Sequence, residues 1–349
     1  MWKVGLVGTG YWSEKHLHAW RRIPGVQVVA LCNRSVGKML DRAQAFGIPE
    51  SACYTSIDAM LAEAELDIVD IVTGPETHLE FVEKASAAGK HIMCQKPFAR
   101  SLEEAERMVS VTKKAGVRLM VTENWRWLQP FQTIKHVIES GTLGRIHTAR
   151  YMHSDFYTTR MAPDKSIPQP FFRAMPHLLF YEMGAHWFDT WRFLFGEPSR
   201  LYAVLTSVSP YVVGEDGGVV TLGHEHFYGT LDMSWSTRRE LQGTPGDEVK
   251  ANHKESFLIE GDKGTIRYGA SGQITVIDNE GAVSVVAEST ELDHEESHYR
   301  LQSHFISCLN DGTAFQTSGE DNLRTLQLIF ATYESAREHQ VIPIGFETP

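Results

Sequence analysis

The first strand and the turn after it constrain this chain more than any other stretch. Lys3-Val4-Gly5-Leu6-Val7 reads as a short buried strand, and Gly8-Thr9-Gly10 breaks it. Tyr11-Trp12-Ser13 then leads into Glu14-Lys15-His16-Leu17, a helix start. Strand, glycine turn and helix together suit a pyrophosphate. The first glycine permits the tight turn, and the second removes a side chain from the path of the phosphates. The helix N-terminus adds free N–H groups and a partial positive charge. Gly8, Gly10, Tyr11 and Trp12 are therefore candidate cofactor contacts. Where helix and strand pack closely the pattern wants Gly or Ala, and this chain has Ser13. A bare Gly-x-Gly after a strand is also an ordinary turn, so the next elements decide.

After a Pro24-Gly25 turn, residues 26–31 read as a second buried strand. It ends at Cys32-Asn33-Arg34-Ser35, where a dinucleotide fold reads the adenosine ribose. No carboxylate stands there to accept from both ribose hydroxyls. Asn33 can bond a hydroxyl, and Arg34 can pair with a phosphate or stack on adenine, which leans toward dual or NADP use. Strands at 52–55, 67–73, 91–94 and 118–122 alternate with helices at 38–46, 57–64, 76–88 and 102–115. That alternation predicts an α/β fold with a doubly wound parallel sheet of six strands. Ligands gather beyond the carboxyl ends of such strands, where Thr73-Gly74-Pro75, His78 and Gln95-Lys96-Pro97 fall. Lys96, held at a strand end by the following proline, is placed to donate to a substrate oxygen beside a nicotinamide. A surface lysine at a turn is the bland alternative.

Composition narrows the class. The chain has 349 residues, 42% hydrophobic and 22% charged, enough for two cores. A net charge of -11 weighs against nucleic acid or an anionic membrane surface as partner. No apolar run approaches the ~20 residues that span a bilayer, and no basic leader precedes the first strand. Cys32, Cys53, Cys94 and Cys308 are scattered without Cys-x-x-Cys spacing, so free thiols in a reducing cytoplasm are expected.

The second half opens with a helix at 131–140 and a strand running to 153. Residues 154–176 mix aromatics and prolines with no regular element. This stretch holds Tyr157, Phe172 and Arg173, and reads as a lid over the C–H face of a sugar or as a dimer contact. The helix that follows carries Glu182, His186 and Asp189 at i, i+4 and i+7, on one face. A carboxylate one turn from an imidazole fixes its tautomer, and a histidine poised near neutral pH suits a proton acceptor for an alcohol. Gly184 costs about 1 kcal/mol in a helix interior, which suggests close approach by a ligand or backbone. A structural helix with a polar face is the other reading. Strands at 201–208, 218–223, 227–235, 255–260, 264–268 and 274–278 form a hairpin-rich antiparallel sheet. Its exposed face predicts a homodimer or homotetramer. His224-Glu225-His226 would put alternate strand residues on one face, but no third ligand has matching spacing, so no metal is expected. Helices at 299–310 and 321–338 close the chain.

Read together, these motifs resemble the glucose–fructose oxidoreductase, inositol dehydrogenase and MocA (Gfo/Idh/MocA) family over nearly the whole chain. The resemblance rests on the Gly-x-Gly turn, Thr73-Gly74-Pro75-x-Thr77-His78, Gly89-Lys90-His91, Gln95-Lys96-Pro97 and Glu123-Asn124-x-Arg126. It continues through Glu182-x-Gly184-x-His186-x-x-Asp189 to Gly319-Glu320-Asp321-Asn322-Leu323. It implies an N-terminal Rossmann domain, drawn here at 1–122. A substrate-binding and oligomerisation domain with a large open, mostly antiparallel sheet then spans 123–349. It also implies NAD- or NADP-linked chemistry on a sugar or polyol. The lysine of the family's Glu-Lys-Pro motif matches Lys96, with Gln95 in place of the acid. The Asp and His of its Asp-x-Gly-x-His motif match Glu182 and His186, the carboxylate one methylene further out. On that match Lys96 holds and polarises the reacting oxygen, His186 takes its proton, and Glu182 orients His186 or binds a neighbouring hydroxyl. Asn124 lies near the nicotinamide, while Arg126, Tyr157, Phe172 and Arg173 join the substrate set. Glu123-Asn124-Trp125-Arg126-Trp127 and Phe180-Tyr181-Glu182-Met183-Gly184 look most like the branch containing D-apiose dehydrogenases. Myo-inositol, an aldohexose and a keto-sugar stay open as substrates. The rival readings are an enzyme that retains its cofactor without net redox, and a non-catalytic NAD(P) sensor. A sensor needs none of Lys96, Glu182 and His186.

Overall fold

The structure is a computed structural model that describes residues 1–237, 254–269 and 271–345. Its first elements are β1 (Trp2–Val7), α1 (Ser13–Arg22), β2 (Val26–Cys32), α2 (Val36–Phe46), β3 (Cys53–Tyr54), α3 (Ile57–Glu63), β4 (Ile68–Ile71), α4 (His78–Ala87), β5 (His91–Gln95), α5 (Leu102–Ala115) and β6 (Leu119–Thr122). Next come α6 (Gln129–Glu139), β7 (Ile146–Ser154), α7 (Leu179–Glu182), α8 (Gly184–Phe195), β8 (Arg200–Thr206), β9 (Gly217–Gly223) and β10 (Tyr228–Ser234). The remaining elements are β11 (Glu255–Gly261), β12 (Gly264–Tyr268), β13 (Ile274–Asp278), β14 (Val283–Ala287), α9 (His294–Asp311), α10 (Gly319–Glu338) and β15 (Ile342–Pro343). Among the described residues no helix is long and apolar enough to cross a membrane.

The chain forms two units: Met1–Trp127 with His294–Gln327, and Leu128–Asp293 with Leu328–Pro349. In the first, six strands lie in the order β3-β2-β1-β4-β5-β6, and every pairing is parallel. This is the doubly wound sheet expected from the alternation of elements. β4 and β6 are buried at every position, as strands covered on both faces must be. The order reverses between β1 and β4, so the turns after these two strands flank the switch point where such sheets bind ligands.

The first unit also takes in α9, which lies beyond the boundary drawn from sequence. Leu301, Phe305, Ile306 and Cys308 of α9 join Val4, Trp20, Ile68, Met93 and Met120 in one core. The helix starts at His294 rather than at residue 299. Its apolar stripe signals that the helix is packed, but a stripe carries no information about which sheet it packs on.

Among the described residues of the second unit nine strands run in the order β14-β13-β12-β11-β7-β10-β9-β8-β15. The sheet is antiparallel except for the β7–β10 pair. Edge strands β14 and β15 are additions to the six strands read between 201 and 278. On one face Ala149, Tyr151, Leu201, Ala203, Val220, Leu222, Leu231, Phe257 and Ile259 are buried, while Tyr202, Val204, Val219 and Tyr228 are exposed on alternate positions. One covered and one open face is the expected pattern for an antiparallel sheet. The covered side is anchored by Tyr151 stacked on Phe257 with ring centroids 4.0 Å apart, and Phe131 of α6 meets both edge-on. Burying aromatic and aliphatic side chains of this size stabilises by ~1.5–3 kcal/mol each.

Two local expectations change. The helix expected to carry Glu182, His186 and Asp189 is broken at Met183, so Glu182 ends α7 while His186 and Asp189 belong to α8. The His186 N–H donates to Met183 O at 2.9 Å, a tight restart one turn long. Residues 154–176 are not wholly irregular, since short 3₁₀ turns form at Thr158–Arg160 and Pro170–Ala174.

Candidate active site

The glycine turn has the shape its residues imply. Gly8 sits at φ 97°, and a Cβ there would lie 2.2 Å from Val72 O, so both backbone angle and packing require glycine. A Cβ on Gly10 would meet no protein atom within 4 Å. Ser13, the residue that departed from the usual small apolar one, is buried, and its Oγ donates to Gly10 O at 2.7 Å. A hydroxyl therefore ties the turn to the helix it feeds. Trp12, at the N-cap of α1, makes no side-chain capping bond to its first N–H groups. An open glycine and uncapped helix N–H groups fit the pyrophosphate of a dinucleotide. Tyr11 is exposed beside the turn, and Trp12 stacks on His298 at 5.9 Å. Asn33 Nδ2 donates to Ser35 O at 3.1 Å, and Arg34 is exposed at the end of β2.

At the end of β4 the Thr77 hydroxyl lies 2.7 Å from Thr73 Oγ1 and 3.0 Å from Gly74 O, which fixes the Thr73-Gly74-Pro75 turn. His78 is wholly buried, with Nδ1 3.0 Å from Phe98 O and Nε2 3.1 Å from Thr73 O. Burial pushes its imidazole below the usual histidine range. It braces the turn after β4 against the loop after β5.

At the end of β5, Gln95 Oε1 accepts from the Lys96 N–H at 2.8 Å, and Gln95 Nε2 lies 3.2 Å from His16 Nε2. His16 Nδ1 is 2.9 Å from Asp70, which also accepts from Trp20 Nε1 at 2.7 Å. Lys96 is buried, and the bond to Pro97 is cis. Asn124 Nδ2 donates to Ser297 Oγ of α9 at 2.7 Å. Arg126 is also held by the returning segment, with Nη1 donating to Gln316 O at 3.0 Å and Nη2 lying 3.2 Å from Asp321. The sequence reading passed over His16, Trp20 and Asp70. Their signal was present: an acid in the middle of an apolar strand, and two ring N–H donors at i, i+4 on the neighbouring helix.

In the second unit Glu182, His186 and Asp189 are all buried. Glu215, missed from sequence, sets the start of α7. Its carboxylate accepts from the N–H groups of Leu178 (3.1 Å) and Phe180 (2.9 Å) and from the Tyr333 hydroxyl (2.5 Å). A carboxylate on the first N–H groups of a helix is stabilising. A Cβ on Gly184 would lie 3.4 Å from Phe188 and 3.5 Å from Ile329 of α10, so the close approach there is helix packing. Burial, the charge of Asp155 and then that of Glu182 push the Tyr157 phenol up, while Arg160 and Arg173 oppose them. Tyr157, Phe172 and Trp235 form an aromatic cluster, with centroids 5.1 Å (Tyr157–Trp235), 5.6 Å (Phe172–Trp235) and 6.3 Å (Tyr157–Phe172) apart. Arg173 donates to three loop carbonyls, Met161 O (2.8 Å), Ala162 O (3.0 Å) and Lys165 O (2.7 Å), so it shapes the aromatic loop from within.

The histidine pair lies in a turn after β9 and does not share a strand face. His224 Nε2 accepts from Trp191 Nε1 at 3.0 Å and its ring stacks on Phe227 at 4.1 Å, while Glu225 and His226 are exposed.

Residues 2–123 match the model of an oxidoreductase family with an NAD-binding Rossmann fold, and residues 131–267 match the GFO/IDH/MocA C-terminal domain. A D-apiose dehydrogenase from Paraburkholderia graminis is 35% identical over 98% of this chain and 89% of its own. One from Rhizobium rhizogenes is 31% identical over 98% and 97%. The crystal structure of an oxidoreductase from Agrobacterium radiobacter in complex with NAD+, L-tartaric acid and magnesium has a TM-score of 0.87 at 31% identity, covering 98% of both chains. The chain belongs to the GFO/IDH/MocA family of oxidoreductases, and its parallel sheet is the NAD-binding Rossmann fold of that family.

Proposed function

We propose that this chain is a sugar dehydrogenase acting on D-apiose or a closely related aldose. The observation that carries the reading is the alignment of two D-apiose dehydrogenases along 98% of the chain. The buried Lys96, Glu182 and His186 agree with it. When bound, the nicotinamide accepts hydride from the carbinol or hemiacetal carbon. Lys96 donates to the reacting oxygen and stabilises its developing negative charge, and His186 accepts the hydroxyl proton. The product is the carbonyl compound, a lactone where the hemiacetal carbon reacts. Glu182 orients His186 or binds a neighbouring hydroxyl. Tyr157, Phe172 and Trp235 cover the C–H face of the sugar. With no acid at the end of β2 and Arg34 exposed there, both NAD and NADP are accepted. The open sheet face, with Tyr202, Val204, Val219, Tyr228, Val283 and Val285 exposed, joins copies into a homodimer or homotetramer. The four free thiols suit a cytoplasmic enzyme.

Initial rates with NAD+ and NADP+ test this across D-apiose, myo-inositol, aldohexoses and keto-sugars. D-apiose is expected to give the highest kcat/KM. Silence across the panel with cofactor binding intact would overturn net oxidation and favour an enzyme that retains its cofactor.

A further inference from the structure

The chain Asp70–His16–Gln95 has a single self-consistent hydrogen-bond polarity. The Lys96 N–H can only donate, so the Gln95 atom 2.8 Å from it must be the amide oxygen. That orientation turns Gln95 Nε2, a donor, toward His16 Nε2 at 3.2 Å, which must then accept. The remaining proton of His16 lies on Nδ1 and is donated to Asp70, 2.9 Å from Oδ2 and 3.1 Å from Oδ1. Reversing the amide would set its NH2 group against the Lys96 N–H and would demand an imidazolium. The carboxylate is wholly enclosed and also takes the Trp20 N–H. His16 and Trp20 stand one turn apart on α1, the helix fed by the glycine turn, while Asp70 lies on β4 and Gln95 ends β5. One buried carboxylate thus ties the cofactor-binding helix to the backbone of Lys96.

We propose that Asp70, His16 and Gln95 are positioning residues for Lys96, and that glutamine at position 95 locks His16 as the neutral Nδ1–H tautomer. The inference rests on the proposed role of Lys96 in the reaction. A glutamate at position 95, the acid of the family motif, has no proton to offer His16 Nε2. It keeps the link only when His16 is an imidazolium between two carboxylates. Glutamine thereby frees the placement of Lys96 from a proton-uptake requirement. Two further groups face the relay. His298 of α9 lies 5.0 Å from the His16 ring and has its Nδ1 on His294 O. The Cys94 thiol, adjoining Asp70, is held protonated by burial and then by the charge of Asp70.

Two measurements test the proposal on the full-length protein. In ¹⁵N-histidine-labelled protein the imidazole signals of His16, assigned by their loss in His16→Asn, are expected to show Nδ1 protonated and Nε2 bare at neutral pH. An Nε2–H tautomer or a doubly protonated ring overturns the proposal, whatever Lys96 does. In Gln95→Glu the profile of kcat against pH is expected to gain a descending limb at high pH, beyond the ascending limb set by His186 as proton acceptor, falling about tenfold per pH unit. NAD+ affinity is expected to hold. A profile superimposable on the unsubstituted enzyme overturns the positioning role. Should Gln95→Glu fail to fold, the tautomer measurement decides alone. Full activity in Lys96→Ala would instead remove the reading on which this rests and leave the tautomer result standing.

Discussion

The two sheets place their candidate site residues by different means. In the parallel sheet all strands point one way, so register delivers chemistry to a shared edge: Ile71 lies across from Cys94, and Gln95 across from Thr122. The Gly8 turn, the Thr73 turn and Lys96 need only short connections to reach it. The nine-stranded sheet points its strand ends both ways, and register cannot gather a site. Its candidate residues sit instead on the connection between β7 and β8, which two adjacent carboxylates hold in place. Glu215 accepts from the N–H groups that begin α7. Asp216 accepts from the Thr158 hydroxyl (2.8 Å) and from the N–H groups of Val208 (2.8 Å) and Ser209 (3.0 Å). One region places side chains by strand register, the other by buried posts.

Substitutions can break this comparison at several strengths. The largest effect is expected at the chemistry: Lys96→Ala and His186→Ala should each lower kcat by about 10²–10⁴ while NAD+ affinity holds, read by steady-state kinetics beside a cofactor titration. Unchanged turnover in His186→Ala would remove the second region from the chemical step. Next come the placing devices. Gly8→Ala drives a methyl group into Val72 O and should cost about 1–3 kcal/mol of stability, with NAD+ affinity falling at least as sharply. Glu215→Ala strands two N–H groups and a hydroxyl and should cost about 1–3 kcal/mol in denaturant unfolding, with NAD+ affinity untouched. Phe172→Ala should raise the sugar KM by about tenfold through lost aromatic contact and leave the cofactor KM alone. The smallest effect concerns His224, whose imidazole burial pushes down to about 4. A depressed histidine favours the native state above its unfolded value of about 6.5. Stability should therefore fall as pH drops from about 6.5 toward about 4, and Tm in His224→Gln should fall less over that window.

The same contrast explains what was legible in the sequence. The six parallel strands, their helices and the Gly8, Thr73 and Lys96 turns follow from local periodicity and punctuation, because register there is local. Ser13 was readable as a departure but not as a hydroxyl bonding Gly10 O, since that bond depends on the turn itself. The two backbone bonds of His78 were not readable, because Phe98 O lies on the loop after the next strand. In the second region Glu182 and His186 were legible as a pair, but the break at Met183 was not. Their spacing fits an unbroken helix equally well. Glu215 and Trp235 went unread because the groups they meet lie tens of residues away in sequence. Arg173 and Arg126 entered the substrate set through the resemblance, and their bonds to loop carbonyls, to Gln316 O and to Asp321 come only with the fold.

The central claim is hydride transfer between a sugar carbon and NAD, and isotope transfer tests it most directly. D-Apiose carrying deuterium at every carbon-bound position would be incubated with NAD+ and the enzyme, and the nicotinamide analysed by mass spectrometry and NMR. The account predicts NADH with one deuterium at C4 in step with sugar oxidation, and none above background in Lys96→Ala. Consumption of the sugar with no deuterium in the nicotinamide pool, free or protein-bound, would contradict it.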